Sequence, residues 1–209
     1  MLIIEEFDCW GFEHAIRGMR NPMNSWDLSD SFDEYVGPRD MELMKKLIVA
    51  GTPHRKFLRQ IFISMDIIAP LYWWKEFDTY KVGTVANSCS TMHKIHAKAF
   101  ELEDFSIDQL TDENVALLNA VIETLNVERK AFLETKDKDH WWQMIQLLPS
   151  SYNQKRTVTM SYENAISICM QRKGHKLDEW ATFINNLFYR GLYIKEFVHL
   201  LEAQENKGD

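Results

Sequence analysis

The chain has 209 residues, 45% of them hydrophobic and 26% charged, a composition typical of a globular protein with a sizeable core. Its net charge of −7 excludes general binding to nucleic acids or anionic membranes, because both require a basic surface. A local basic pocket that binds one phosphate group is still compatible with this net charge. No apolar run approaches the roughly 20 residues of a membrane span, and a signal-peptide pattern is absent. Three widely spaced cysteines argue against a disulfide framework, so we expect a reduced, cytoplasmic protein.

The first third of the chain predicts one strand and two helices separated by a polar loop. An apolar face repeats at helical spacing in the second helix, which Gly51 ends. The predicted elements are a strand over Leu2–Asp8, a helix over Glu13–Arg20, a loop with a helical turn over Asn24–Gly37 and a helix over Asp40–Ala50.

The middle of the chain predicts a ligand-contacting loop on a rigid support. An apolar strand over Ile61–Ile68 leads into a helix that begins at Ala69-Pro70. That helix ends in a loop rich in small polar residues, Asp78–Met92, and loops at the ends of rigid elements commonly carry binding residues. The segment Met92–Lys98 that follows has no clear pattern.

The second half predicts mainly helices, with one strand whose Thr and Val content and period of two are typical of a sheet. Together with the first half, this order predicts one helix-rich α/β domain over residues 1–209. The predicted elements are a helix from the Thr111 N-cap to Glu134, a helix over Asp139–Leu147, a strand over Asn153–Ser161, a helix from the Ser161 cap to Arg172, a helix over Leu177–Phe188, a helix over Tyr193–Glu202 and a frayed charged tail from Ala203.

Residue types alone offer three candidate sites, each with a plainer structural interpretation. His93 and His96 share a helical face but lack a third metal ligand at a diagnostic spacing, so no metal is predicted. Cys89 is a possible nucleophile with His93 or His54 as its base. The pairs Trp73-Trp74 and Trp141-Trp142 favour core or subunit packing over ligand stacking. Glycine-rich phosphate-binding motifs are absent.

The segment from Gly51 to Thr91 resembles the flavin-dependent thymidylate synthases, the ThyX family. The family has a His shortly before a strand, an Ala-Pro that starts a helix, and then the run Arg-Gln-Trp-Phe-Arg-His-Arg-x-x-Ser. Here Gly51-Thr-Pro-His54, the strand, Ala69-Pro70 and Lys75–Thr84 follow in the same order without a gap. Three later positions differ in residue type: Asn87 stands for Glu, Cys89 for Ser and Thr91 for Arg.

A second segment extends the resemblance. Leu148-Pro149 begins a run similar to the family's Leu-Pro, strand, helix and substrate Arg, which falls on Arg172. Arg172 is thereby implied as the catalytic cation that polarises a pyrimidine carbonyl, beside the plainer interpretation of a cation at a helix C-terminus. The resemblance also assigns substrate binding to Glu76, Asn87, Cys89, Ser90, Thr91 and Arg172, and cofactor binding to His54, Thr79, Tyr80, Lys81, Ser161, Glu163 and Ser167.

The resemblance implies a helix-rich fold around a small, mostly antiparallel central sheet, in a homotetramer whose sites form where subunits meet. It implies reductive methylation of dUMP to dTMP with FAD, NADPH and methylenetetrahydrofolate. Several family arginines are replaced, because Arg-His-Arg becomes Thr79-Tyr80-Lys81 and Ile145 stands for another Arg. Arginines hold phosphates through paired hydrogen bonds, so other cations have to compensate. The candidates for that compensation are Lys75, Arg156, Arg59 and Lys155.

These substitutions keep a second hypothesis open, a non-catalytic paralogue that retains the assembly and binds a less charged ligand or a partner. A third hypothesis is a thiol enzyme that uses Cys89. The retained Arg172 and His54 favour the flavin-dependent methyltransferase, whereas Thr79, Asn87 and Thr91 favour the paralogue.

Overall fold

The structure, a computed structural model, describes residues 1–33 and 35–206. Within these ranges no helix is both long and apolar enough to cross a membrane. The α-helices are α1 (Phe12–Arg20), α2 (Pro38–Val49), α3 (Leu71–Phe77), α4 (Thr91–Lys94), α5 (Asp112–Thr135), α6 (Lys138–Leu147), α7 (Tyr162–Arg172), α8 (Asp178–Arg190) and α9 (Ile194–Glu205). The strands are β1 (Ile3–Trp10), β2 (Phe62–Pro70), β3 (Thr84–Ser88) and β4 (Asn153–Ser161).

The four strands of the described chain form one antiparallel sheet in the order β1-β2-β4-β3. Side-chain hydrogen bonds mark the register of β2 against β4. The hydroxyls of Ser64 and Thr159 lie 2.9 Å apart, and Thr157 donates to Asp66 at 2.6 Å. Residue numbers rise along one strand while they fall along the other, which is the antiparallel arrangement. The sheet therefore joins two strands that are about 90 residues apart in the chain.

Most predicted elements are confirmed, and β4 has the predicted bounds. The strand β3 was not predicted, because Thr84–Ser88 was interpreted as part of the polar loop. Its residues are half-buried or exposed, so it lacks the apolar alternation by which a strand is recognised in sequence. It forms because its backbone pairs with β4. Directly after β3, the amide of Cys89 donates to the carbonyl of Lys155 at 3.0 Å.

Two further differences concern the connections. A 3-10 helix over Arg55–Gln60 precedes β2 where no element was predicted, and the segment with no clear pattern begins with α4. The predicted frayed tail from Ala203 is wrong for its first residues, since α9 continues to Glu205. The last three residues of that tail, and Glu34 in the predicted loop over Asn24–Gly37, lie outside the described residues.

The chain divides into two compact units, and each strand of the sheet contributes residues to both. Unit 1 comprises Met1–Ile3, Ile67–Thr79 and Asn87–Arg156. Unit 2 comprises Ile4–Asp66, Tyr80–Ala86 and Thr157–Asp209. The organisation as a single domain over residues 1–209 stays a prediction.

Unit 1 is built on aromatic and aliphatic packing. Trp73 and Trp74 are completely buried and meet edge to face at 4.9 Å, so this tryptophan pair belongs to the core, as predicted. The indole of Trp74 donates to the carbonyl of Gln154 at 2.9 Å, which satisfies its buried N–H. Helices α5 and α6 pack on each other around the buried residues Leu118, Ile122, Leu125 and Met144.

In unit 2 the helices α1, α2, α7, α8 and α9 pack on one another and on the 3-10 helix over Arg55–Gln60. Within β2 the side chains of Ile63 and Met65 are buried, whereas those of Ser64 and Asp66 are only half-buried. This alternation gives the strand a core face and a polar face. The completely buried side chains of the helices include Met44, Ile48, Trp180, Phe183 and Phe197.

A buried ion pair anchors the polar loop of unit 2 that precedes α2. The carboxylate of Asp40 is inaccessible to solvent and accepts from Arg20 Nε at 2.6 Å. It also accepts from the hydroxyls of Ser29 and Ser31, each at 2.7 Å. Burial raises the pKa of Asp40, but the hydrogen bonds from Ser31, Ser29, Arg20 and the Asp30 amide outweigh it, and the pKa is lowered. The folded protein therefore favours the ionised form.

We predict that Asp40→Asn lowers the free energy of unfolding by about 3–5 kcal/mol at neutral pH, because Arg20 keeps a buried, uncompensated charge. The stabilisation by Asp40 is present above its unfolded pKa and disappears as pH falls through its lower folded pKa. Urea unfolding of both proteins at neutral and acidic pH measures this difference, which should shrink in acid. Glu42→Gln, at an exposed i,i+4 pair with Lys46, is the control and should change little.

Candidate functional site

A cleft of about 660 Å³ opens in unit 2 at the beginning of α7. This volume lies within the range of about 300–1,000 Å³ that is usual for small-molecule sites. Three of the residues predicted to bind the cofactor lie in its wall, and two arginines accompany them. The lining residues are Arg55, Arg59, Phe62, Val82, Gly83, Ser161, Glu163, Asn164 and Ser167.

The start of α7 positions one side of this cleft. Ser161 ends β4 and caps the helix, because its hydroxyl accepts from the amide of Asn164 at 3.4 Å. The side-chain amide of Asn164 donates to the carbonyl of Val82 and to Thr84 Oγ1, the latter at 3.0 Å. The turn before β3 is therefore tied to the helix.

That turn requires glycine at position 83. Gly83 has φ +70°, a conformation that residues with a side chain rarely adopt. A Cβ atom there would lie 3.1 Å from Nδ2 of Asn164, the atom that holds the turn. Backbone conformation and close approach together fix both the turn and this wall of the cleft.

Two guanidinium groups share one carboxylate inside the cleft. Glu163 Oε1 lies 3.4 Å from Arg55 Nε, and Oε2 accepts a hydrogen bond from Arg59 Nε. The Glu163 side chain is only 15% exposed, whereas that of Arg59 is 56% exposed. The hydrogen bond from Arg59 to Glu163, with the attraction between their charges, raises the pKa of Arg59. The triad of Arg55, Arg59 and Glu163 carries two positive charges against one negative charge.

Arg172, the predicted catalytic cation, lies at the last turn of α7 between two aromatic rings of unit 2. Its Nε donates to the hydroxyl of Tyr80 at 2.7 Å. Its guanidinium carbon lies 5.4 Å from the Tyr80 ring centre and 4.8 Å from that of Trp180. These cation–π contacts and the hydrogen bond hold the guanidinium in one orientation. Two of the predicted residues, Tyr80 and Arg172, are therefore brought together.

The other predicted cofactor residues of unit 2 take different positions. Ser167 lies one turn after Glu163 on the cleft side of α7, and its hydroxyl accepts from Gln171 at 3.0 Å. Lys81 is exposed in the turn before β3. His54 is exposed at the start of the 3-10 helix over Arg55–Gln60 and does not line the cleft.

The remaining predicted residues belong to unit 1. Thr79 donates through its hydroxyl to the carbonyl of Glu76 at 2.8 Å, which closes the end of α3. Ser90 caps α4, since its hydroxyl accepts from the amide of His93 at 3.1 Å. Asn87 and Cys89 are exposed at the end of β3, and Thr91, the first residue of α4, is half-buried. Their assignment to a substrate stays a prediction.

The structure separates the four candidates for replacing the family arginines. Arg59 lines the cleft. Arg156 belongs to unit 1, where it donates to Asp78 at 2.7 Å and stacks 4.3 Å from the Trp74 ring centre, which makes it part of the packing. Lys75 is exposed and Lys155 half-buried, both in unit 1.

Sequence reasoning missed Arg55, the second cation of the cleft. It stands four residues before Arg59 in a 3-10 helix, where side chains three residues apart share a face, so the spacing in the sequence does not pair the two arginines. Both arginines reach the same carboxylate, which makes Arg55 a full member of the site.

The structure gives little support to the candidate thiol and metal sites. The hydrogen bonds of Cys89 run through its backbone, to Lys155 and Gln154, and within the described ranges no base pairs with its sulfur. Cys169 is buried, and burial raises the pKa of its thiol to about 12, so it stays protonated at neutral pH. Among the residues that the structure describes, no cluster of His, Cys, Asp and Glu could hold a metal ion.

Comparison with solved structures identifies the fold. Two crystal structures of the flavin-dependent thymidylate synthase ThyX from Helicobacter pylori, both with FAD and dUMP, match nearly the whole chain. One has a TM-score of 0.71 at 16% identity and covers 94% of this chain and 95% of its own. The other has a TM-score of 0.72 at 17% identity and covers 97% and 98%.

A third solved structure is the UMP/dUMP methylase PolB from Streptomyces cacaoi, bound with 5-Br dUMP. It matches with a TM-score of 0.65 at 12% identity and covers 97% of this chain and 95% of its own. No family model and no curated protein sequence matches the chain. The chain therefore has the ThyX fold, as the sequence resemblance implied, at a sequence identity too low to carry an activity with it.

We predict that Tyr80→Phe lowers the free energy of unfolding by about 1 kcal/mol, because Arg172 loses the hydroxyl that accepts its Nε hydrogen bond. Tyr80→Leu should cost more, since it also removes the aromatic face beneath the guanidinium. Urea unfolding measures both changes. Tyr189→Phe is the matched control, because Tyr189 is 90% exposed. An equal effect of Tyr80→Phe and Tyr189→Phe would contradict the role assigned to the Tyr80 hydroxyl.

Proposed function

We propose that this protein binds a flavin and methylates a uracil nucleotide, as a divergent protein of the ThyX type. The observation that carries the proposal is the cleft at the start of α7. Ser161, Glu163 and Ser167, assigned to the flavin from sequence, line it together with Arg55 and Arg59. The fold is shared with proteins crystallised with FAD and dUMP, which supports the same ligand class here.

The residues of the cleft fit the phosphates of FAD. Arg55 and Arg59 provide guanidinium donors, and guanidinium groups bind phosphate oxygens through paired hydrogen bonds. The start of α7 adds the positive end of a helix dipole. These groups replace the cations that the sequence lacks at Thr79 and Thr91. In the proposal Tyr80, Lys81, Thr79 and His54 complete the flavin side.

The substrate in this proposal is a uracil nucleoside 5′-monophosphate, with dUMP as the expected form. Arg172 orients the pyrimidine and stabilises the charge that develops on its carbonyl oxygen, and its fixed guanidinium suits that role. Glu76, Asn87, Cys89, Ser90 and Thr91 contact the nucleotide. A bound flavin would supply the hydride, with NADPH as its source and methylenetetrahydrofolate as the carbon donor.

The proposal includes the homotetramer and the cytoplasmic location expected from the resemblance. In the proposal the tetramer covers exposed apolar side chains of α5 such as Leu117 and Val127, which are 66% and 63% exposed. Cys9, Cys89 and Cys169 are all free thiols, which accords with a reducing compartment.

A non-catalytic protein with the same fold is the second candidate. It is favoured by the observation that Glu163 already occupies both cleft arginines, which lowers the positive charge available to a phosphate. Arg172 is likewise engaged by Tyr80. In this alternative the cleft takes a less charged ligand or a protein partner.

We predict that the purified protein, incubated with FAD and freed of excess ligand, retains the visible absorbance of a bound flavin. The reason is the match between the cleft arginines and the flavin phosphates. Arg59→Gln should weaken retention, whereas Arg39→Gln, an exposed arginine on α2, should not. A colourless wild-type protein after this treatment favours the non-catalytic candidate.

We predict that dUMP stimulates NADPH oxidation by the flavin-loaded protein, with UMP tested in parallel. Arg172→Ala should reduce dUMP binding at least about tenfold, because a charge-assisted hydrogen bond is lost, and should leave FAD retention unchanged. Arg39→Ala is the control. An equal loss of FAD and dUMP binding in Arg172→Ala would contradict the assignment of Arg172 to the pyrimidine.

A further inference from the structure

The carboxylate of Glu163 occupies the groups of the cleft that are best suited to hold an anion. Arg59 bonds it closely, whereas Arg55 Nε is 3.4 Å away, beyond the usual range of about 2.7–3.2 Å for a strong hydrogen bond. The side chains of Arg59 and Arg55 are 56% and 25% exposed, so a ligand in the cleft can reach both. The carboxylate thus engages one arginine firmly and the other weakly.

Glu163 is stabilised by the dipole of α7 as well as by the arginines. It is the second residue of α7, where the helix dipole favours a negative charge by about 0.3–1 kcal/mol. Together with Arg55 and Ser167 it also lines a second cleft of about 200 Å³ in unit 2. Glu163 therefore belongs to the wall between two clefts, and its side chain is 15% exposed. When a ligand takes an arginine from it, the dipole of α7 still stabilises the carboxylate.

The charge balance decides which ligands can take the arginines from it. The triad carries one net positive charge, and Glu163 offers a single negative charge with two oxygens. A phosphate monoester at neutral pH carries about −1.5 to −2 and has three acceptor oxygens. The two linked phosphates of a dinucleotide carry one negative charge each and together also exceed the charge of a carboxylate. When such a group replaces Glu163 as the partner of the arginines, the arginines gain a more highly charged partner and more hydrogen-bond acceptors. A neutral ligand or a singly charged carboxylate offers the arginines neither advantage.

We propose that Glu163 acts as an internal competitor for the cleft arginines and restricts the cleft to ligands whose phosphates carry two or more negative charges in total, as a phosphate monoester or a diphosphate does. The inference rests on the proposed function only in that the cleft accepts a phosphate-bearing ligand. Glu163 is a specificity-determining residue in this account: it weakens phosphate binding by a fixed factor and excludes weaker anions. Removal of its charge should tighten phosphate binding and should also allow weaker anions to bind.

The test is titration calorimetry of the full-length protein with ADP as the probe and adenosine as the neutral reference. Glu163→Gln keeps the size of the side chain and removes its charge, so the affinity for ADP should rise about tenfold or more. The affinity for adenosine should not change. Arg59→Gln should weaken ADP binding, because it removes the more exposed donor of the triad.

Glu42→Gln controls for the change in net charge, because it removes one exposed carboxylate on α2 that has no part in the cleft. An ADP affinity that is unchanged or weaker in Glu163→Gln, or raised equally in Glu42→Gln, overturns the inference. So does the absence of ADP binding to both wild type and Glu163→Gln at millimolar concentration. If Glu163→Gln fails to fold, Glu163→Asp replaces it, since the shorter side chain withdraws from the arginines and should also tighten ADP binding.

The same proteins separate this inference from the proposed function. If none retains FAD but Glu163→Gln binds ADP more tightly, flavin binding is refuted and the role of Glu163 stands. If the wild type retains FAD while Glu163→Gln and wild type bind ADP equally, the flavin proposal stands and Glu163 is only a structural ion-pair partner.

Discussion

The first turn of α7 is the constraint on which the candidate site depends. The side chain of Asn164 holds the backbone of Val82 and the hydroxyl of Thr84, and Gly83 between them adopts a conformation suited to glycine. In this way a helix that begins 80 residues later in the chain fixes the turn that leads into β3. The same turn of α7 carries Glu163, so the polypeptide geometry and the charges of the cleft are set together.

Three arginines of unit 2 are engaged by groups of the protein itself. Arg55 and Arg59 share Glu163, while Arg172 is held by Tyr80 and stacked on Trp180. A cation held in this way loses little conformational entropy when a ligand binds, which favours orientation of the ligand. It also carries less free charge, so a ligand has to offer more than the internal partner does. The arginines are therefore held in fixed orientations and favour highly charged ligands, but they bind anions less tightly than free arginines would.

The sequence predicted those parts of the fold that leave a periodic apolar pattern. Strand β4 was found from its alternation, and the burial of Trp73 and Trp74 from the plain preference of tryptophan pairs for packing. Strand β3 escaped because its side chains are half-buried or exposed, and its existence depends on backbone pairing with β4. Such pairing is a property of the folded chain and leaves no residue pattern of its own.

The site was predicted unevenly for a related reason. Ser161, Glu163 and Ser167 were identified through the family resemblance, and they line one cleft. Arg55 was missed because its role follows from contact with Glu163, 108 residues further along the chain. Arg156 was a candidate on charge alone, and the structure uses it for packing. Charge in a sequence gives the number of cations, whereas only the fold gives their partners.

In the proposed function Arg55 and Arg59 bind the phosphates of a flavin dinucleotide. The most direct measurement compares the affinities of the purified protein for FAD and for riboflavin, which shares the ring system and lacks the phosphates. The account predicts that FAD binds at least about tenfold more tightly and that the difference narrows as salt is raised. Equal affinities for FAD and riboflavin, unaffected by salt, would contradict it.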